Sequence, residues 1–241
     1  MALPCLYAAA KVETNPQPIV SESDFTANIE KAEAGEPAAA RIIGDCYLTG
    51  TGVSRDVNKA WRWYSKAAGK QDLEARYRIA CLYRDGIGVK QNDREAAYWF
   101  GRAANNGHPL ALLNIADCYI EGRGIQRDDR IAAEDFWRAA DRGVPEAAYR
   151  IGLMLRDGVG LSQDKSMALK FLRQAAESNY GDAELLAQFL EQEGVKLPVK
   201  HQASAKKSSA STKKSGVSKK SGSRKSHSKS RSGSAKKSRR R

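Results

Sequence analysis

Residues 39–69 read AARIIGDCYLTGTGVSRDVNKAWRWYSKAAG. Ala39, Ile43 and Tyr47 fall at i, i+4 and i+8, the mark of one buried helix face. Ala60, Tyr64 and the pair Ala67-Ala68 mark a second buried face beyond Gly50-Thr-Gly52. The same layout returns at a spacing of 36 residues. Gly86-Ile-Gly88, Gly122-Arg-Gly124 and Gly158-Val-Gly160 repeat the loop. Ala39 recurs as Ala75, Ala111, Ala147 and Ala183, and Ala60 as Ala96, Ala132 and Ala168. Tyr64 is followed by Phe100, Phe136 and Leu172, and Ile43 by Ile79, Ile115 and Ile151. Chance does not align this many columns.

Each column has a physical job. Small residues at fixed positions let two helix backbones approach, and large ones from the facing helix fill the space beside them. The first glycine of each Gly-x-Gly is placed to be the left-handed residue that ends the first helix. Asp56, Asn92, Asp128 and Asp164 stand where the second helix begins, as N-caps. Each unit is thus helix, loop, helix. Stacking such hairpins buries faces that one unit alone would leave wet.

The order Ala39, Gly44, Tyr47, Gly50, Gly52, Val53, Asp56, Ala60, Trp63, Tyr64, Ala67 and Ala68 resembles the Sel-one-like repeat family, a branch of the tetratricopeptide-type helical repeats. The likeness runs from Gly35 to Ala176 as four full units, with a last helix around Asp182 to Gln192. Asp24 to Ala34 reads as an unpaired second-type helix capping the start. The third unit departs from the pattern, with Asp135 where Trp63 and Trp99 stand, so its packing must differ there. The fold class expected is all-α: a right-handed α-solenoid of about four 36-residue repeats plus capping helices. The expected organisation is a flexible segment over 1–22, the solenoid over 23–196 and a disordered tail over 197–241.

The formal net charge of +13 conceals a division. Lys196 to Arg241 holds 17 of the 41 basic residues and no acid, a tail of +17. The first 195 residues hold the other 24 bases and all 28 acids, a body of −4. No apolar run is long enough to span a bilayer. The start, MALPCLYAAAK, lacks the basic region of a secretory signal. Its Leu3-Pro-Cys5 loosely resembles a lipoprotein cleavage site, but too little precedes it for export. The expected compartment is therefore the cytoplasm, or the nucleoid or nucleus by way of the tail. Cys5, Cys46, Cys81 and Cys118 form no CxxC pair and no zinc spacing; Cys46 and Cys118 read as small buried hydrophobes.

Catalytic chemistry finds little support in the residues. The Gly-x-Gly pairs lack the third glycine, the Gly-Lys-Ser/Thr and the strand of a nucleotide site. Asp45 and Asp117 are equivalent positions two units apart, roughly 20 Å at the usual spacing of packed helices. A catalytic carboxylate pair needs about 5–9.5 Å. His108 is the only histidine of the repeats and reads as a polar residue entering a helix. The chain is expected not to be an enzyme and to need no cofactor or metal.

Opposite the Ala39 direction, three positions of each first helix point the other way at 100° per residue. They read Arg41, Tyr77, Leu113, Tyr149; then Asp45, Cys81, Asp117, Leu153; then Leu48, Arg84, Ile120, Arg156. A merely solvated face is mostly Lys and Glu, whereas aromatics, arginines and aliphatics are enriched at protein interfaces. In the resembled family these helices line a concave groove. The candidate protein-binding set is Arg41, Asp45, Tyr77, Arg84, Leu113, Asp117, Ile120, Tyr149 and Arg156. The competing expectation is that Tyr77, Leu113 and Tyr149 pack against neighbouring units.

Beyond His201 the chain is almost all Ser, Lys, Arg, Gly and Ala, a composition too poor in apolar surface to offset ordering entropy. It is similar to the tails of linker histones and histone-like bacterial proteins. Its candidate nucleic-acid contacts are Lys206, Lys207, Lys213, Lys214, Lys219, Lys220, Arg224, Lys225, Lys236, Lys237, Arg239, Arg240 and Arg241. Such a segment binds polyanions by counterion release with little sequence preference. Anionic lipid is a weaker fit, because nothing larger than Val217 is there to insert. A solubilising tail, or one that folds onto the acidic body, is the plainer alternative. Two functions follow: a protein adaptor anchored by its tail, or a histone-like protein whose tail is the working part.

Overall fold

The computed structural model describes residues 22–198. All of them belong to the first of two units into which the chain separates, Met1–Val199 and Lys200–Arg241. The tail contacts expected from Lys206 to Arg241, the N-terminal residues before Glu22, and Cys5 lie outside the described residues.

Among the described residues the secondary structure is entirely helical. A capping helix α1 (Glu22–Glu33) precedes four hairpins: α2 (Pro37–Thr49) with α3 (Val57–Gly69), α4 (Leu73–Asp85) with α5 (Asp93–Ala104), α6 (Pro109–Glu121) with α7 (Asp129–Ala140), and α8 (Pro145–Asp157) with α9 (Lys165–Ala176). Helix α10 (Ala183–Gln192) closes the stack. Every helix packs on its neighbours in sequence, which is the contact pattern of a solenoid.

The ends of the helices follow from their residues. Gly50, Gly86, Gly122 and Gly158 are left-handed, with φ of 80, 67, 69 and 73°, and each donates its N–H back into the last turn of the helix it ends. The side chains of Asp56, Asn92, Asp128 and Asp164 all accept backbone N–H groups of the second helices. The second glycine of the last two loops does something the spacing does not announce. A Cβ on Gly124 would overlap the carbonyl oxygen of Asp93, and one on Gly160 that of Asp129. These loops thus rest on the first turn of the preceding unit's second helix, and glycine permits the approach.

The core is built from the repeating columns. Ala60, Ala96, Ala132 and Ala168 are buried, as are Tyr64, Phe100, Phe136 and Leu172. The buried residues form an N-terminal cluster from Phe25 to Leu82 and a C-terminal one from Tyr77 to Leu190, with Tyr83 and Trp99 packed against both. In place of the tryptophan of units one and two, Asp135 is buried with an ion pair to Arg138 at 2.7 Å. Arg138 also donates to the carbonyl of Ala104 on the preceding unit. A polar pair therefore makes the inter-unit contact in unit three. Cys46 and Cys118 are buried free thiols. Burial pushes both up, Cys118 to about 11, so neither is poised as a thiolate. At the end of the stack α10 exposes Leu185 and Phe189.

Candidate protein-binding groove

The first helices α2, α4, α6 and α8 carry all nine residues of the expected groove, and the structure separates them into two kinds. Tyr77 is 2 % exposed and Leu113 7 % exposed, both within the C-terminal core cluster. Tyr77 stacks on His108 with ring centroids 4.7 Å apart and meets Phe100 at 5.8 Å. These two residues are interior and leave the recognition surface. The reason is geometric. A first helix packs on its own partner and on the helix before it, and side chains such as Tyr77 and Arg84 also reach residues of the next unit. Arg41, Asp45, Arg84, Asp117, Ile120, Tyr149 and Arg156 keep part of their surface.

Tyr149 is intermediate between the two kinds. Its hydroxyl donates to Asp182 at 2.5 Å and its ring meets Tyr180 at 5.7 Å, which ties α8 to the turn before α10. Arg84 pairs with Asp85 at 2.8 Å and donates to Asn114 of the next unit at 2.7 Å. Arg156, one pair of units later, pairs with Asp157 at 2.7 Å.

The charged residues join into a network that crosses units. Asp45 accepts the Tyr64 hydroxyl at 2.6 Å and lies 3.5 Å from Arg41 and 3.9 Å from Arg78. Arg78 pairs with Glu74 at 2.9 Å, and Glu74 meets Nε2 of His108 at 2.8 Å. His108 caps α6, its Nδ1 accepting the N–H of Ala111, so Nε2 carries the proton and donates to Glu74. The histidine thus enters a helix, as its position suggests, and also ties unit two to unit three. Burial opposes ionisation of Glu74, but the His108 hydrogen bond and the charge of Arg78 prevail and hold its carboxyl below the usual range. Burial raises Asp45, against the pull of Arg78, Tyr64 and Arg41. The second half repeats this more loosely, with Arg150 3.9 Å from Asp117 and 4.0 Å from Glu146.

Glu74, Arg78, Glu146 and Arg150 fall outside the three positions per unit that point away from Ala39, and so outside the expected set. A signal for them exists. Glu74-Ala-Arg-Tyr-Arg78 and Glu146-Ala-Ala-Tyr-Arg150 match at a spacing of 72, a two-unit period above the 36-residue one.

Among the described residues no group of three or more His, Cys, Asp or Glu is arranged to hold a metal ion. Hollows of about 300 and 280 Å³ lie beside Trp63 and Trp61 on the second-helix side, lined largely by Lys59, Arg62, Lys66 and Val89. No helix among the described residues is long and apolar enough to cross a membrane.

Residues 37–72, 73–108, 109–144 and 145–180 each match the Sel1 repeat. The chain belongs to the Sel1 repeat family. A protective antigen of uropathogenic Escherichia coli, c5321, which displays the SLR fold, superposes with a TM-score of 0.68 at 28% identity, over 72% of this chain and 37% of that one. A Sel1 repeat protein from Oxalobacter formigenes superposes with a TM-score of 0.66 at 31% identity, over 72% and 49%. The chitin synthase regulator SKT5 of Saccharomyces cerevisiae is 43% identical over 47 residues, 20% of this chain and 7% of that protein. The chain thus spans less than half the length of each. In Sel1 terms, α2, α4, α6 and α8 are the first helices of the four repeats.

Proposed function

We propose that this Sel1 protein is a non-enzymatic scaffold that binds a protein partner along the face formed by its first helices. The observation that carries the reading is the composition of that face. Arg41, Arg84, Arg156, Ile120, Tyr149 and Asp117 retain exposed surface there, a mixture of arginine, aliphatic and aromatic side chains that marks interfaces. That one of the similar proteins is a chitin synthase regulator agrees with a non-enzymatic role. The test replaces Ile120, which is half-buried against the C-terminal cluster, with Thr, and Arg156, which pairs with Asp157 on its own helix, with Glu. Partners captured by the full wild-type chain and identified by mass spectrometry should be lost from the double variant while its melting temperature stays within a few degrees. Unchanged capture by a folded double variant would remove the groove from the function.

The charge division favours one added element. The +17 tail is proposed to hold nucleic acid without sequence preference, while the −4 body repels it. The alternative, a histone-like protein in which the tail is the working part, differs in one outcome. A chain ending at Val199 keeps its protein partner as an adaptor and loses its principal activity as a histone-like protein.

A further inference from the structure

The two-unit period of the first-helix face has a defect at its second occurrence. Asp45 on α2 and Asp117 on α6 hold equivalent positions. Around Asp45, two donors and a further cation come from three places: Arg41 one turn back at 3.5 Å, the Tyr64 hydroxyl from the facing helix at 2.6 Å, and the charge of Arg78 from the next unit at 3.9 Å. Around Asp117, Leu113 stands in the place of Arg41 and Phe136 in the place of Tyr64. Both replacements are buried and apolar. Only the third, a cation, survives as Arg150 at 3.9 Å, and it is shared with Glu146.

Asp117 is nevertheless half-buried like Asp45, with 21% of its side chain exposed against 30% for Asp45. Desolvation without compensating hydrogen bonds holds its carboxyl up at about 6. An acceptor in this condition is costly to the fold, and a donor arriving from outside relieves the cost. The surroundings limit what that donor can be. Ile120 lies one turn further along α6, and Leu153 is the matching residue of α8, both partly exposed. They offer apolar surface to a long aliphatic stem ending in a cation.

We propose that Asp117 is the specificity point of the groove, receiving an arginine of a bound protein segment whose stem lies over Ile120 and Leu153. This rests on the reading of the first-helix face as protein-binding. Guanidinium is favoured over ammonium because it returns both of the missing hydrogen bonds to one carboxylate.

The probe is a synthetic pair, acetyl-Ser-Leu-Arg-Leu-Ser-amide and the same peptide with citrulline, a neutral isostere of arginine. Each is titrated into the full chain while backbone amide shifts are followed by NMR. The arginine peptide should shift the amides of Asp117, Ile120 and Leu153 saturably, with an affinity at least fivefold above that of the citrulline peptide. Asp117→Asn should abolish the preference while melting no lower than the wild type, which separates lost recognition from lost folding. Phe136→Tyr, which restores the hydroxyl that Tyr64 gives Asp45, should weaken the arginine peptide several-fold in a folded chain. Equal shifts by both peptides, a preference that survives Asp117→Asn, or full affinity in folded Phe136→Tyr would each overturn the assignment and leave the groove itself standing. No shift at any first-helix amide would overturn the assignment and count against the groove as well.

Discussion

At the scale of single residues, partners and burial matter more than residue type. Tyr77 has an aromatic side chain suited to an interface, yet it is enclosed between His108 and Phe100. Tyr77→Ala should therefore behave as a core truncation, costing about 3–5 kcal/mol in urea unfolding, whereas Arg156→Ala should cost within about 0.5 kcal/mol. Asp117 illustrates the converse, a carboxylate whose burial outruns its hydrogen bonding. The groups facing it are Arg150 and Glu146 on α8, and Glu121 and Arg123 at the end of α6. Its folded value of about 6 lies above that of an unfolded aspartate, so between about pH 4 and 6 the native state holds an extra proton. Stability from this group is complete below about pH 4 and is lost as pH rises through 6. Asp117→Asn should accordingly stabilise the protein at pH 8 by up to about 3 kcal/mol, with the gain vanishing near pH 4. Paired urea titrations at the two pH values measure it; a destabilisation at pH 8 would contradict the account.

The elements are specified by their ends more than by their middles. Asp128 caps α7 by accepting the N–H groups of Arg130 and Ile131, and its replacement by Ala should cost about 1 kcal/mol. The two glycines of the loop that precedes it make unequal demands. Gly122 needs only the left-handed backbone, so Gly122→Ala should cost about 1–2 kcal/mol. Gly124 is left-handed too, at φ 71°, and also rests on the carbonyl of Asp93 one unit back. Gly124→Ala must strain the backbone and push two repeats apart, adding about 1–3 kcal/mol. Urea midpoints should rank Gly124→Ala well below Gly122→Ala, and equal midpoints would deny the inter-unit contact. The spacing of the glycines made both visible in the sequence. Only the packing of one unit on the next distinguishes their roles, because the clash partner of Gly124 lies 31 residues away.

On the scale of the whole molecule, the polarity of charge along the chain sets the expected behaviour. With 17 positive charges from Lys196 onward, binding of the full chain to two unrelated DNA duplexes should be equal in affinity. If six to ten of those charges meet phosphate at once, that affinity should fall about 10³–10⁵-fold between 50 and 200 mM salt. A chain ending at Val199 should not bind either duplex. Equal binding by the shortened chain, or a flat response to salt, would remove nucleic acid from the function and leave the solenoid as the working part.

The sequence by itself determined the repeat, its period, the helix ends and the alanine and ring columns of the core. These depend on residues a few positions apart, where backbone geometry leaves little choice. It also exposed the division between an acidic body and a basic tail, since charge adds up without a fold. Which side of a first helix stays open was decided only by the tertiary structure. A single helix has one buried arc by its own periodicity, but in the stack Tyr77 is enclosed by Phe100 of its partner helix and His108 at the start of the next unit, and Leu113 joins the same cluster. The contrast between Asp45 and Asp117 was decided there too. The substitutions Leu113 and Phe136 are plain in the columns. That positions 4 residues back, 19 residues on and 33 residues on converge upon one carboxylate is a fact of packing, and it turns two apolar replacements into a half-buried carboxylate with one cation left beside it.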